Sequence, residues 1–473
     1  MAGFHIEHFG CRAARADGEA IAGNLRAMTD LEPFANDVVI VNTCSVTAEA
    51  DRAARAFIRR AHRKNPAAKI VVTGCYAQRA PEELAAMPGV AAVVGNSHKA
   101  LAPEIILNLT RESKLTREAA RTASEPPRLV PVAQLLAASG PSAPIWADDR
   151  FAHSFIEDAH WGQPQPATGA QTRPNLKIQE GCGNRCTFCV IPQTRGPSKS
   201  LPYAVVMRQV ESFVAAGGKE LVLSGINLGR WARDFEGPSR KTLAGLVRKI
   251  LDETSLPRLR LSSIEPMDWD DELIALMREF GGTRLARHAH LPLQSGSDAV
   301  LRRMHRRYRP WHYADKVRAL VSAAGTGLTL GADVMVGFPG ETDREFEETV
   351  VFIRALPFGY LHLFPFSARP GTRGWALHAA GPVAAEVVQQ RMSALRALAA
   401  EKSETHRKRF VGREIEAITL HTPAALAQRG STTALTENFL PVELEGRFAA
   451  NHLLRVQVTG LNAERELAAR VSG

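Results

Sequence analysis

Short apolar runs alternate with helical patterns over the first hundred residues. The predicted elements are strands at Phe4–Phe9, Val38–Val41, Ile70–Val72 and Val90–Val94, with helices at Glu19–Met28 and Ala48–His62 between them. Strands that alternate with helices predict βαβ units and a parallel sheet. We therefore expect residues 1–100 to form an α/β domain.

The same rhythm resumes from Pro174. Apolar runs that predict strands lie at Leu176–Gln179, Leu221–Leu223, Leu259–Leu261, His288–Leu291, Leu328–Val336 and Tyr360–Phe364. Helical stripes separate them, as at Val206, Val210 and Phe213, which recur at i, i+4 and i+7. Six strands with intervening helices predict a partial (β/α)6 barrel over residues 171–406. Active sites of such barrels lie at the carboxyl ends of the strands.

Two further segments complete the chain. Residues 101–170 show a helical pattern only near Ala102–Leu109 and otherwise predict a linker or insertion, whose Trp146 and Trp161 could cover an apolar surface. Short strand patterns at Arg413–Leu420, Phe439–Leu444 and Leu453–Thr459 predict a small β-barrel over residues 407–473.

Composition narrows the class of protein. The 473 residues are 45% hydrophobic and 23% charged, which suits a soluble chain of about three domains. No apolar run approaches the ~20 residues of a membrane span, and the start of the chain lacks a signal-peptide pattern. We therefore expect no membrane association and a cytoplasmic protein, whose thiols stay reduced.

The charge balance is basic. A net charge of +10 and a pI of about 9.5 favour a polyanionic partner, although a merely basic surface gives the same numbers. Two basic runs, at 52–64 and 302–309, have helical spacing and are predicted to be solvated helix faces.

The most specific chemical signal is a run of three cysteines. Cys182, Cys186 and Cys189 form a Cys-x3-Cys-x2-Cys motif directly after a predicted strand. A fully ligated four-iron cluster takes four cysteines, so three would leave one iron open. An open iron can bind the amine and carboxylate of S-adenosylmethionine (SAM), and the motif resembles that of radical-SAM enzymes. A zinc site usually needs four N or S ligands, and disulfide scaffolds belong to short secreted chains, so both alternatives fit less well.

The other three cysteines follow the predicted strands of the first domain. Cys11, Cys44 and Cys75 each come just after a strand, and the carboxyl ends of parallel strands meet at one edge of a sheet. This placement predicts a second cluster with an open iron. Buried cysteines that act as small hydrophobic residues are the alternative.

Polar and glycine residues lie at the carboxyl ends of the predicted strands of the central barrel. Ser224, Gly225, Asn227, Glu265, Gln294 and Ser295 follow strands, and Asp333 lies within the fifth strand, just before the segment Gly337–Thr342 that follows it. Glycine lets the backbone approach a ligand, and the polar side chains suit the ribose, carboxylate and ammonium of SAM. Each segment alone could be an ordinary turn, but together after the cysteine loop they predict a cofactor pocket.

These motifs resemble the radical-SAM methylthiotransferases over nearly the whole chain. The segments 41–52, 223–229 and 261–267 are similar to the bacterial branch that acts on N6-threonylcarbamoyladenosine at tRNA position 37. One departure is Arg12-Ala13-Ala14 after Cys11, where the family has a lysine and then an asparagine, so polar groups near that ligand are lost.

The resemblance implies a fold, cofactors and partners. It implies a flavodoxin-like N-terminal domain with an auxiliary [4Fe-4S] cluster on Cys11, Cys44 and Cys75, and a radical-SAM barrel with a second [4Fe-4S] cluster and SAM. It also implies an OB-like TRAM domain that binds RNA. The expected product is a 2-methylthio adenosine in the tRNA anticodon loop. The electron donor would be flavodoxin or ferredoxin, and the sulfur donor is undefined.

Three alternatives stay open. The first is the isopentenyladenosine-37 enzyme, and the second is the ribosomal-protein aspartate methylthiotransferase. The third is a non-catalytic iron–sulfur or RNA-binding protein, which would not need the polar segments after the barrel strands.

Overall fold

The structure, a computed structural model, describes five stretches of the chain. They are residues 3–29, 38–110, 143–156, 172–236 and 241–472. Trp161 and most of the predicted linker lie outside the described residues. None of the helices in these stretches is both long and apolar enough to cross a bilayer.

The chain divides into two compact units. The first comprises Met1–His160 together with Val190–Pro197, and the second comprises Trp161–Cys189 with Ser198–Gly473. The second unit therefore includes both the predicted central barrel and the predicted C-terminal barrel.

A five-stranded parallel sheet forms the centre of the first unit. Its strands, in spatial order, are β1 (Phe4–His8), β2 (Val38–Thr43), β3 (Lys69–Gly74), β4 (Val90–Gly95) and β5 (Ile145–Trp146). Its helices are Arg12–Thr29, Ala48–Lys64, Cys75–Arg79, Pro81–Ala85 and Ile191–Arg195, and residues 102–110 are also helical. The parallel α/β layout is confirmed. The strand order is sequential, whereas flavodoxin has the order 2-1-3-4-5.

Successive residues of these strands are apolar on both faces of the sheet, so each face packs against a buried cluster of its own. Ile40 and Val71 belong to one buried cluster, while their chain neighbours Val41 and Val72 belong to another. Successive side chains of a strand point to opposite faces, so such continuous apolar runs are typical of a sheet with helices on both sides.

A buried ion cluster holds the segment Val190–Pro197 in the first unit. The Asp17 carboxylate accepts hydrogen bonds from Lys99 Nζ at 3.0 Å and from Arg195 Nη1 at 3.0 Å. All three side chains are almost fully buried, so each charge depends on the others for compensation.

Six parallel strands form the partial barrel of the second unit. They are β6 (Asn175–Glu180), β8 (Glu220–Gly225), β9 (Arg258–Leu261), β10 (His288–His290), β11 (Thr329–Val336) and β12 (Phe358–Pro365), and a short β7 (Lys199–Ser200) pairs with β6. The helices are Tyr203–Ala215, Leu243–Glu253, Asp271–Phe280, Asp298–Arg303, Pro310–Ala324, Asp343–Ala355, Arg373–Ala380 and Ala385–Lys408. A parallel bridge between Ser263 and His290 connects the first group of strands to the second. The predicted partial barrel is confirmed.

A closed five-stranded barrel ends the chain. Its strands are β13 (Glu414–Thr419), β14 (Ser431–Thr436), β15 (Pro441–Glu445), β16 (Leu453–Leu461) and β17 (Leu467–Val471), with a short helix Ala424–Gln428. The small β-barrel is confirmed, although the sequence pattern did not indicate β14 or β17.

Buried charges join this small barrel to the amino ends of the partial-barrel strands. Glu220 contacts Arg260 Nε at 2.7 Å, Arg258 Nη1 at 3.1 Å and Arg173 Nη1 at 3.1 Å. Arg258 also pairs with Glu416 of β13. Burial raises the pKa of Glu220, but the three arginines outweigh it and lower the pKa to about 2.

Candidate functional site

Three free cysteines lie at one edge of the first unit's sheet. Cys44 and Cys75 come directly after β2 and β3, and Cys11 lies three residues after the end of β1; the three strands are parallel neighbours. None of the three is in a disulfide; Cys44 and Cys75 are buried, and Cys11 is exposed. The structure therefore places the predicted auxiliary ligands together.

Glycine makes the close approach of the first two loops possible. Gly10 has φ +128°, and a Cβ built there would lie 2.4 Å from Cys44 Cβ and 2.9 Å from its Sγ. Any side chain at this position would clash with the Cys44 side chain. Ala14, which stands where the family has asparagine, contributes through its backbone. Its carbonyl accepts a hydrogen bond from Asn42 Nδ2 at 2.5 Å.

Hydrogen bonds fix the position of Cys75, the third predicted ligand of this trio. Asn96 Nδ2 lies 3.4 Å from Cys75 Sγ and also donates to the Thr194 carbonyl at 2.8 Å. The Thr43 hydroxyl oxygen accepts from the backbone N–H of Tyr76 at 3.2 Å, which ties the β2 loop to the start of the Cys75 helix. Burial, followed by the neighbouring thiols, raises the pKa of Cys44 to about 12. Because the pKa of Cys44 is raised, its thiolate would need a bound iron to stabilise it.

The second cysteine trio lies on the loop after β6. Cys182 Sγ accepts from the Asn184 backbone N–H at 3.4 Å and lies 3.8 Å from Asn227 Nδ2. Burial raises the pKa of Cys182, and these two groups partly oppose that effect. The Cys189 N–H donates to the Cys186 carbonyl at 3.2 Å, which closes the turn of the loop.

Arg306 supports this loop from the barrel side. Its Nη1 lies 3.3 Å from Cys186 Sγ, and its Nη2 contacts both oxygens of Glu265 at 2.7 and 2.6 Å. Arg306 is buried, so the predicted solvated face at 302–309 is wrong for this residue. The first basic run is exposed at Arg52, as predicted.

A further group of candidate metal ligands lies away from the cysteine loops. Within the part of the chain that the structure describes, ligand atoms of His290, Asp333 and His362 all lie within 4.8 Å of one another.

Several predicted SAM residues carry buried polar atoms that lack a partner among the described residues. These atoms are Ser224 Oγ, Asn227 Oδ1 and Gln294 Oε1. Buried polar groups are rarely left without a hydrogen bond, so unpaired oxygens at the strand ends fit a ligand that supplies donors. Gly225 packs so closely on Gln179 that a Cβ would lie 2.9 Å from Gln179 Cβ.

The other predicted pocket residues already have protein partners. Glu265 is paired with Arg306, as described above. Ser295 Oγ lies 3.1 Å from Thr349 Oγ1, and Asp333 pairs with His290 at 3.1 Å. These contacts leave the predicted cofactor roles of Glu265, Ser295 and Asp333 as predictions.

Sequence reasoning missed the supporting residues. Asn96, Gln179 and Arg306 touch the predicted ligand cysteines or the loops that carry them, yet no motif marks them. The sequence pattern predicts only a strand at Gln179, although its Oε1 accepts from the Asn227 N–H at 2.7 Å and its Nε2 donates to the Gly181 carbonyl at 2.9 Å. The one available signal was the position of Gln179 two residues before the cysteine loop.

Comparison with known proteins agrees with this geometry. A family model described as Uncharacterized protein family UPF0004 matches residues 3–95, and a model of the radical SAM superfamily matches residues 176–353. The fold is similar to the radical S-adenosylmethionine methyltransferase TsrM of Kitasatospora setae, with a TM-score of 0.51 and 15% identity over 77% of this chain and 75% of that one.

Curated relatives match almost end to end. The chain is 34% identical to threonylcarbamoyladenosine tRNA methylthiotransferase MtaB of Bacillus subtilis, over 94% of this chain and 91% of that protein. It is 31% identical to the protein of the same name from Aquifex aeolicus, over 96% of this chain and 99% of that protein. It is 33% identical to tRNA-2-methylthio-N(6)-dimethylallyladenosine synthase of Cereibacter sphaeroides, over 87% and 85%. The chain therefore belongs to the radical-SAM methylthiotransferase family, in the branch that includes the threonylcarbamoyladenosine tRNA methylthiotransferases.

Proposed function

We propose that this enzyme adds a methylthio group to carbon 2 of N6-threonylcarbamoyladenosine at position 37 of tRNA. The observation that carries the proposal is the 34% identity to the Bacillus protein named for that substrate, over 94% of this chain. Both cysteine trios that two clusters would need are present, and they lie on loops that follow parallel strands.

The enzyme uses SAM and [4Fe-4S] clusters, as its family does. We assign one cluster to Cys182, Cys186 and Cys189, with SAM against Ser224, Gly225, Asn227 and Gln294, and the auxiliary cluster to Cys11, Cys44 and Cys75. When bound, these groups supply reductive SAM cleavage at one site and the sulfur for transfer at the other. The unpaired oxygens of Ser224, Asn227 and Gln294 support this assignment.

The protein's own residues prepare the SAM site. Arg306 places a positive charge at 3.3 Å from Cys186 Sγ, which stabilises the thiolate that an iron needs. Glu265 holds Arg306 in that position through two short contacts. Gln179 braces the loop that carries Cys182 by bonding the Gly181 carbonyl at 2.9 Å.

The anticodon loop suits this site because its bases are single-stranded. A base at position 37 can be splayed into a pocket without melting a duplex. The small barrel supports RNA binding with exposed Arg447, Arg455 and Arg470, and with Phe448, whose ring can stack on a base. The proposal places the enzyme in the cytoplasm with its tRNA and a low-potential donor such as flavodoxin or ferredoxin.

Purified protein tests the proposal directly. Anaerobically reconstituted enzyme receives SAM, reductant and anticodon stem-loops that carry threonylcarbamoyladenosine, isopentenyladenosine or unmodified adenosine at position 37. Mass spectrometry of the nucleosides should find the methylthio product only with the first RNA. Product only with the second would favour the isopentenyl alternative, and 5′-deoxyadenosine absent under all conditions would favour a non-catalytic protein.

A further inference from the structure

A line of polar side chains crosses the last three strands of the partial barrel. His290 Nε2 lies 3.1 Å from Asp333 Oδ2, and His362 Nδ1 lies 3.2 Å from Asp333 Oδ1. Asp333 and His362 are direct register partners on β11 and β12, so both side chains leave the same face of the sheet.

The buried end of this line is fixed. The Tyr360 hydroxyl lies 3.0 Å from His290 Nδ1 and 2.8 Å from His288 Nε2. Gly331 makes room for that ring, because a Cβ there would lie 2.0 Å from Tyr360 Cζ. With Nδ1 engaged by the hydroxyl, the His290 ring is oriented so that Nε2 points to Asp333.

The other end is open. Side-chain exposure rises from 5% at His290 to 27% at Asp333 and 57% at His362. Burial raises the pKa of Asp333, but hydrogen bonds from the two histidines outweigh it and hold the pKa well below its usual range. The open end therefore presents an ionised carboxylate and an imidazole whose Nδ1 is already held.

This open end adjoins the predicted cofactor segment. The backbone N–H groups of Leu293 and Gln294 both donate to the Asp333 carbonyl, at 3.1 and 2.8 Å. Gln294 also carries one of the unpaired buried oxygens. A substrate that reacts beside a cofactor held by Gln294 would lie within reach of Asp333 and His362.

We propose that Asp333 and His362 select the N6 substituent of the substrate adenosine, an inference that rests on the proposed function. A threonylcarbamoyl group offers N–H donors to the Asp333 carboxylate, and its hydroxyl can donate to His362 Nε2, which accepts when the Nδ1–H is directed to Asp333. An isopentenyl group offers neither. Hydrocarbon over this pair would remove water from the exposed carboxylate surface and from His362 Nε2 without replacing its hydrogen bonds, which is how a hydrogen-bonding site rejects an apolar analogue.

The test is the selectivity between two anticodon stem-loops, one with threonylcarbamoyladenosine and one with isopentenyladenosine at position 37. The reconstituted full-length enzyme should prefer the first, on the order of 100-fold or more in kcat/KM. His362→Leu should reduce that ratio by about 10-fold or more, and His362→Gln, which keeps a hydrogen-bonding group, should restore part of it. His312→Leu removes an exposed histidine on the helix Pro310–Ala324 and should leave the ratio unchanged.

Three results separate the claims. If the wild-type enzyme does not act on threonylcarbamoyladenosine, the proposed function fails. If the wild type prefers that substrate and both His362→Leu and Asp333→Asn keep the same preference, this inference fails alone.

Two histidines and a carboxylate are also a divalent-metal donor set. One zinc or manganese ion per chain, present in the wild type and lost in His362→Leu, would overturn substrate selection in favour of a metal site.

Discussion

Replacing Glu220 with glutamine should destabilise the second unit strongly. The change keeps the shape of the side chain but removes the charge that faces Arg173, Arg258 and Arg260, of which Arg258 and Arg260 are fully buried. The pKa of Glu220 is lowered from 4.5 to about 2. At about 1.4 kcal/mol per pKa unit, this corresponds to about 3 kcal/mol at neutral pH. Removing one partner of a buried ion pair costs about 3–5 kcal/mol, which agrees.

The pH dependence follows from the direction of the shift. A carboxyl whose pKa is lowered in the folded state stabilises above its unfolded pKa of 4.5, and that contribution is lost as pH falls toward about 2. The difference in unfolding free energy between wild type and Glu220→Gln should be constant from pH 7 to about 5 and should shrink below that.

Urea unfolding, followed by tryptophan fluorescence, measures the loss of unfolding free energy in Glu220→Gln, since Trp231 and Trp269 are buried in the same unit. Glu279→Gln is the matched control, because Glu279 pairs with Arg248 on the exposed surface and should show no resolvable change. If Glu220→Gln unfolds at the same urea concentration as Glu279→Gln at pH 7, the buried charge cluster does not stabilise the protein as argued.

Two further predictions concern the cysteine sites. Gly10→Ala should lose the iron of one cluster, about half of the total for two [4Fe-4S] clusters, because its Cβ would lie 2.4 Å from Cys44 Cβ. Gly381→Ala, where a Cβ meets nothing within 4 Å, should keep all of it, and equal iron contents in the two reconstituted variants would contradict the packing argument. Arg306→Gln should make the cluster beside Cys186 harder to reduce, by on the order of 100 mV, because a charge-assisted hydrogen bond to the thiolate is lost. A titration followed by electron paramagnetic resonance measures this shift, and an unchanged midpoint potential with full iron content would show that Arg306 only packs there.

Features that depend on local sequence pattern, such as strands and the residues that follow them, could be predicted from the sequence. Cys11, Cys44 and Cys75 follow apolar strands at regular intervals, so their meeting at one sheet edge could be inferred from parallel βαβ connections. The six barrel strands are predictable for the same reason.

Features that depend on distant contacts could not be predicted. Arg306 has the spacing of a solvated helix face, and only the fold brings it to Cys186 and Glu265, 120 and 41 positions away. The two-residue strand Ile145–Trp146 is too short to show a period, so the fifth strand of the first sheet lay within the predicted linker. The sequence around His362 is typical of a half-exposed strand, and only the strand register shows that His362 lies opposite Asp333.

The most direct test of the central claim is mass spectrometry of tRNA nucleosides from a strain that lacks this gene. We predict that the 2-methylthio form of threonylcarbamoyladenosine disappears, returns when the wild-type gene is restored, and does not return with Cys182→Ala. If that nucleoside is unchanged in the deletion strain while the methylthio form of isopentenyladenosine is lost, the substrate assignment is contradicted.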